Sequence, residues 1–473
     1  MGNVEFGIPV LLKSLTDEFA KRQCRCFYFS IPYGKGIDGD EELYNKLEIN
    51  AERFDLSNNK NLWTYHEYKL YSEDEMKDMI RLNLDIARIN RGLDRTQQYE
   101  NEVKSYLEGI READQHFGID LFIVWSMRLR ERTIYHYARK HNIPIYIFEH
   151  GYFRPFTLTV DSRGINYENS LPRSSDFYLN TAYNEERLQQ YLLSPETAVK
   201  DEQAHKKYRE ICDTHRLIED SSKKRKIGSR LINKLKNGSV IYSIERQIKK
   251  YTIQTLENRQ VNYKLKSCNR ISERLISSGE QFIFVPFQLQ TDTQTVLFSP
   301  YIKTMKTLVV LMSEAVEKYN EKNEANINVV FKPHPLYKIK EPDMNILEIL
   351  KVCKKYKNSY FNTTISTTNL IDQSYFVATI NSTVGIEALT RGKRVMTLGQ
   401  AFYNIEGITH YVNHQDKLAD GIFQTIHKPY NEKLIKHFLY YIRFHYFSEI
   451  FYLHPDSASV ERLVDRIMNN MRL

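Results

Sequence analysis

Short β-branched and aromatic runs alternate with amphipathic stretches along most of the chain, and several of the runs stop at polar clusters. Ile8, Leu11, Leu12, Leu15 and Phe19 recur at helical spacing and predict a helix over Val4–Arg22. Strands are predicted at Cys24–Ile31, Asp120–Trp125, Ile143–Phe148, Phe282–Pro286, Ile327–Phe331, Tyr375–Ile380 and Arg394–Leu398. Residues 73–116 read as mostly helical and polar, and Met127–Lys140 as a helix between two buried strands. Ser299-Pro300 reads as the N-cap and first position of a long helix reaching Tyr319. A further helix opens at Asn381-Ser382-Thr383 and ends at Gly392 as its C′ glycine. The segment Arg154–Ser175 is rich in Asn, Ser, Gly and Pro and reads as a loop. Residues 182–278 read as helical, polar and basic. The aromatic stretch after Pro429 and an amphipathic helix over Asp456–Met471 read as a return that braces both halves.

This order of strands and helices predicts an α/β fold of two Rossmann-like, doubly wound domains facing across a cleft. The expected divisions are residues 1–181, a helical basic insert at 182–278, a nucleotide-binding domain at 279–428, and helices at 429–473. A buried strand that ends in polar residues and opens a helix is where such sheets bind ligands. The helix-start N–H groups attract phosphate. Ser382 and Thr383 add hydroxyls there, and His334 closes the neighbouring strand within Lys332-Pro333-His334-Pro335. The stretch therefore reads as half of a nucleotide site. In the N-terminal half, the run IPIYIF ends at Glu149-His150-Gly151. Glu149 is either the reacting acid of the cleft, or it merely caps the next turn or pairs with Arg154. Gly34, Gly36 and Gly39 follow a strand in G-x-G-x-x-G order, but no strand and acid follow at the right spacing, so they read as a surface loop.

The chain has 473 residues, enough for two or three domains, and a formal net charge of +8. That charge favours an acidic partner: a nucleotide, an anionic lipid or a nucleic acid. Lys223–Lys236 holds seven Lys or Arg and no acid, with Ile227, Leu231, Ile232 and Leu235 on one helical face. It reads either as a helix lying on an anionic bilayer through Lys223, Lys224, Arg225, Lys226 and Arg230, or as a solvated face. The aromatic interleaving of single-strand binders is absent from it, which argues against nucleic acid. Five cysteines without zinc spacing suggest a reducing compartment. No run of 18 apolar residues, no Walker A motif and no metal-ligand spacing occur, so neither a spanning helix nor a metal is expected, and the charged residues Glu5, Lys13, Asp17 and Glu18 lead us to expect no signal peptide.

Four blocks in order carry a family resemblance: FEHGYFRP with LTVDSRGIN and SLPR, FVPFQLQTDTQTVLFSP, FKPHP, and INSTVGIEALTRGKRVMTLGQAFYNIEG. The chain resembles the capsule polysaccharide synthesis proteins of Gram-negative bacteria, and within them the KpsS-type β-Kdo glycosyltransferases. Two departures stand out: His150 occupies the place of a second acid, and the basic insert is longer than usual. The resemblance implies a GT-B-like pair of domains, a CMP-β-Kdo donor and retention of the β configuration. It also implies a cytoplasmic, peripheral place at the inner membrane, with a lysophosphatidylglycerol-type lipid or a growing poly-Kdo linker as acceptor. Capsule assembly and export proteins are further expected partners; no cofactor is expected. The candidate catalytic residues are Glu149, Asp161 and His150. Candidate donor contacts are Lys332, His334, Pro335, Asn381, Ser382, Thr383 and Glu387, and Gly151, Arg154, Asn166, Gln288 and Asp292 are expected along the cleft. Two other functions compete: a nucleotide-sugar epimerase or hydrolase on the same scaffold, and a non-catalytic capsule assembly or export protein.

Overall fold

Alternate residues of each central strand feed two different cores, which is why the buried runs read as continuous apolar sequence. The structure, a computed structural model, describes residues 9–30, 49–55, 66–153, 156–192, 261–335, 337, 345–452 and 454–471. The glycines Gly34, Gly36 and Gly39, the basic segment 223–236 and Arg154 lie outside the described residues.

Near the N-terminus, β1 (Phe27–Ser30) and β2 (Glu52–Asp55) form a parallel pair. A second sheet contains β3 (Phe122–Trp125), β4 (Ile145–His150) and β5 (Thr157–Asp161). Strands β3 and β4 are parallel, and β5 folds back antiparallel on β4. Ile145 and Ile147 of β4 enter a core beneath the helices Glu73–Arg91, Thr96–Phe117 and Leu129–Lys140. Tyr146 and Phe148 enter another core, shared with the helices Pro9–Lys21 and Ser457–Met471.

The C-terminal sheet has six strands, all parallel: β6 (Phe282–Pro286), β7 (Asn328–Lys332), β8 (Ser359–Phe361), β9 (Phe376–Thr379), β10 (Val395–Thr397) and β11 (His410–Tyr411). Their spatial order is β8-β7-β6-β9-β10-β11. The chain therefore starts in the middle, winds to one edge, then returns to β9 and winds to the other. This is the doubly wound order, with its switch point between β6 and β9. Ile283 and Val285 enter one core and Phe282 and Phe284 the other.

A last strand, β12 (Ser448–Glu449), pairs antiparallel with β5. Before it, the helix Glu432–Tyr441 buries Leu434, Ile435, Phe438 and Leu439 against the C-terminal domain. After it, Ile450, Tyr452, Val460 and Leu463 pack on the N-terminal sheet. The return thus crosses from one domain to the other, while Leu171 and Tyr178 join the core beside β6.

Three expectations are corrected. The segment Arg154–Ser175 is not a loop throughout, because β5 lies within it, fully buried. The long helix does not begin at Ser299-Pro300. It spans Met305–Asn323 and is capped by Thr304, whose hydroxyl accepts from Thr307 N. Ser299 instead ends the helix Thr293–Phe298, and its buried hydroxyl donates to Ile302 O at 2.5 Å. The N-terminal sheet is mixed rather than parallel, since the chain turns straight from β4 into β5 without a crossover helix.

Gly151 stands at that turn. Its N–H donates to Thr157 O at 2.8 Å, and a Cβ would lie 2.2 Å from Thr157 Oγ1 and 2.6 Å from Thr157 backbone atoms. Gly151→Ala is expected to destabilise the protein by about 2–3 kcal/mol, at the upper end of overpacking costs. A urea midpoint unchanged from wild type would contradict this reading.

Candidate functional site

The C-terminal ends of β3 and β4 face those of β6, β7 and β9 across one polar cavity of about 440 Å³. Glu149 and His150 come from the end of β4, and His334 from just beyond β7. Asn381, Ser382 and Thr383 follow β9, and Gln288 and Asp292 follow β6. The sequence candidates Glu149, His150, Asn166, Gln288, Asp292, His334, Asn381, Ser382 and Thr383 therefore line a single space.

At the switch point two amides lock the floor. Gln288 Nε2 donates to Asn381 Oδ1 at 2.9 Å, and Asn381 N donates to Gln288 Oε1 at 3.0 Å. Asn381 Nδ2 also donates to Gln294 O and Gln400 O. The Asn381 side chain is therefore committed to the protein, and its contribution is to hold the strand end. Tyr403, fully buried, donates to Ser382 O at 2.6 Å and fixes that turn from below. Gly385 allows it: a Cβ there would lie 2.5 Å from the Tyr403 hydroxyl oxygen. Ser382 Oγ accepts from Val384 N at 3.2 Å, which leaves its proton to donate. The helix Val384–Thr390 has only seven residues, so it offers the site a helix start rather than a long aligned dipole. Asp292 accepts from Gln294 N and caps the helix Thr293–Phe298 at the rim.

On the facing wall, Glu149 Oε1 accepts from His150 N at 2.9 Å. The His150 ring sits edge-on to Trp125, at 5.0 Å between centroids, and 4.9 Å from Tyr452. Tyr152 donates to Asn166 Oδ1 at 2.8 Å, and Asn166 adopts a left-handed backbone, φ 58°. These contacts fix the wall before any ligand arrives, as a preorganised site requires.

Several candidates lie elsewhere. Asp161 is buried and accepts five hydrogen bonds: from Arg163 N, Gly164 N, Ser170 N, Ser170 Oγ and Tyr446 Oη. It does not line the cavity, because β5 runs antiparallel to β4 and sets Asp161 opposite Ile147 rather than beyond Glu149. The expectation that it supplies a second reacting acid is therefore corrected: its carboxylate stitches the return to β5. Lys332 donates to Ile365 O at 2.7 Å, away from the cavity lining, and burial pulls its ammonium below its usual range. Pro335 and Glu387 are exposed and do not line the cavity, and Gly151 shapes the turn without lining it.

The cavity also includes Tyr152, which follows the Glu149 strand end, and Trp125, Ser126, Arg128 and Glu131, which the strand-end argument passed over. Ser126 follows β3 with φ 67°, a left-handed conformation rare outside glycine. The signal was present, since Ser126 interrupts the run DLFIVW in the way Ser382 interrupts its own. No group of three or more His, Cys, Asp or Glu side chains converges as a metal site among the described residues.

A family profile described as capsule polysaccharide biosynthesis protein matches residues 121–447. FixF of Sinorhizobium fredii is 30% identical over 200 residues, which are 42% of this chain and 46% of FixF. The chain thus spans less than half of FixF. The capsule polysaccharide export protein KpsS of Escherichia coli is 24% identical over 357 residues, 73% of this chain and 82% of KpsS. Among solved structures, the Thermosulfurimonas dismutans KpsC beta Kdo 2,7 transferase aligns with a TM-score of 0.34 and 17% identity, covering 84% of this chain and 97% of that one.

Proposed function

The chain belongs to the capsule polysaccharide biosynthesis family, and from that membership we propose that its interdomain cleft is the active site of a glycosyltransferase. The observation that carries the reading is the cavity itself: a carboxylate, Glu149, shares one polar space with His334, Ser382 and Thr383 of a doubly wound sheet. The donor and acceptor come from the sequence resemblance: CMP-β-Kdo, and a lysophosphatidylglycerol-type lipid or the poly-Kdo chain growing on it. In this reading the CMP phosphate lies against His334, Ser382 and Thr383, which stabilise the charge gathered as CMP departs. The Glu149 carboxylate attacks the anomeric carbon, forming a C–O bond as the bond to CMP breaks. The acceptor hydroxyl then attacks that carbon and releases Glu149, with His150 taking the hydroxyl proton. Two displacements retain configuration.

His334→Ala and Ser382→Ala are each expected to weaken CMP binding by about 1.5–3 kcal/mol, the scale of a charge-assisted hydrogen bond. Calorimetric titration with CMP measures this. Unchanged affinity in both variants removes the phosphate assignment.

Among the described residues no helix is long and apolar enough to cross a membrane. We place the enzyme peripherally at the cytoplasmic face of the inner membrane, held by the basic stretch Lys223–Lys236. Each charge contributes roughly 1 kcal/mol at an anionic surface, so charge reversal there is expected to release the protein from anionic vesicles. Equal co-sedimentation with neutral and anionic vesicles would refute the docking role.

A further inference from the structure

A second polar pocket, of about 510 Å³, opens at the other end of the N-terminal sheet. It is bordered by the start of β4, the end of β5, the aromatic return and the last helix. Its Ile145 edge is four residues from Glu149 along β4, about 13 Å at ~3.3 Å per residue, and no residue lines both spaces. Arg139, Arg163 and Arg466 line it, against one carboxylate, Asp161. That carboxylate already accepts its five hydrogen bonds, including one from the buried Tyr446 hydroxyl. Arg466 donates only to neutral groups, Tyr446 O at 2.8 Å and Ser448 Oγ at 3.0 Å. Among the described residues, Arg139, Arg163 and Arg466 form no ion pair.

Arg466 is half-buried and forms no ion pair, so desolvation penalises its charge, and the field of Asp161, whose oxygens are already engaged by other donors, offsets this only in part. Burial indeed pulls the Arg466 pKa down. Arg139 and Arg163 are exposed and line the same open pocket as half-buried Arg466, so an anion entering it offsets the desolvation of Arg466, and forked donors suit planar or tetrahedral oxyanions. The remaining wall is mixed: Tyr146, Ser162, Tyr441, His445 and Asn470 stand beside a short apolar strip from Ile143 to Ile145 and Val160. The polar groups outnumber the apolar strip, which suits a small hydroxyl-bearing ligand better than a long acyl chain.

We propose that this pocket is a second ligand site, one that binds an oxyanion, the carboxylate of a sugar acid or a phosphate, apart from the interdomain cleft. The proposal does not depend on the donor assigned to the cleft. The test uses the full-length protein with CMP present in every titration. Free Kdo and inorganic phosphate are the two soluble probes, and vesicles of phosphatidylglycerol and phosphatidylcholine are the third. Arg139→Gln with Arg163→Gln changes two exposed side chains and spares the core; Arg466→Gln is made separately, with its melting temperature recorded. Wild type is expected to bind a soluble probe saturably, and the double variant to bind it at least about tenfold more weakly, with CMP affinity unchanged. Tighter binding of Kdo than of phosphate identifies a sugar acid as the ligand. Vesicle capture that is lost in the double variant, without binding of either soluble probe, identifies a phospholipid headgroup. Equal binding of all three probes by wild type and the double variant overturns the proposal, as does the absence of binding by wild type.

Discussion

Replacing Glu149 by Gln is expected to lower turnover at least about 10³-fold while leaving CMP affinity within a factor of about two. The loss corresponds to roughly 4 kcal/mol of transition-state stabilisation. The amide keeps the shape of the side chain and can still accept from His150 N, the contact seen at 2.9 Å. What disappears is the negative charge needed to attack or stabilise the anomeric carbon. The residues proposed to hold the donor phosphate, His334, Ser382 and Thr383, come from the other sheet lining the cavity, so binding and chemistry are expected to separate in this variant. Single-turnover rates and CMP calorimetry on the same preparation measure both. Near-normal turnover would remove Glu149 from the chemistry, and Asp161 would not replace it, because Asp161 lies outside the cavity.

The second large effect is on folding. Asp161→Ala is expected to cost at least about 4 kcal/mol, since each buried donor left unsatisfied costs roughly 1–3 kcal/mol and five donors lose their acceptor. One of them, the Tyr446 hydroxyl, belongs to the return that carries β12. Burial and then the Asp161 charge push that phenol well above its ordinary pKa, so it stays a donor and the bond persists through the neutral range. The variant therefore loosens the joint between β5 and the C-terminal strap. Differential scanning calorimetry is expected to show an apparent melting temperature lower by roughly 10 °C. A change under about 2 °C would show that water or a neighbouring group replaces the carboxylate at little cost. Asp161→Asn separates charge from size: its new N–H₂ group would face donors, so it is expected to recover little of the loss.

Asp161 also shows where the sequence misleads. Thr157, Thr159 and Asp161 alternate with apolar residues and sit among Gly, Ser and Pro, the composition of an exposed loop. All three are buried, because β5 is covered on both faces, and Thr157 and Asp161 are hydrogen-bonded within the protein. The strand β12 was illegible for another reason: two residues inside an aromatic run carry no periodic signal. By contrast, β6 matches its predicted span, and β7, β9 and β10 fall within about one residue of theirs. Each of the four is an apolar run bounded by polar residues and fully or nearly fully buried. The site was legible to the same extent. Residues closing a strand, such as Glu149, His334 and Ser382, could be named from the rule that strand ends point into the crevice. Whether the side chain is then spent inside the protein, as with Asn381 and Lys332, depends on partners distant in sequence, Gln288 and Ile365.

The central claim is that the cleft transfers a sugar from a CMP donor to an acceptor. Purified protein incubated with CMP-Kdo, with and without lysophosphatidylglycerol, followed by mass spectrometry of the lipid and of the sugar, tests it most directly. The expected result is a lipid heavier by one or more Kdo residues, formed only when donor, acceptor and Glu149 are all present. Free Kdo formed equally with and without the lipid would mark a hydrolase, and an untouched donor in both reactions would contradict the claim.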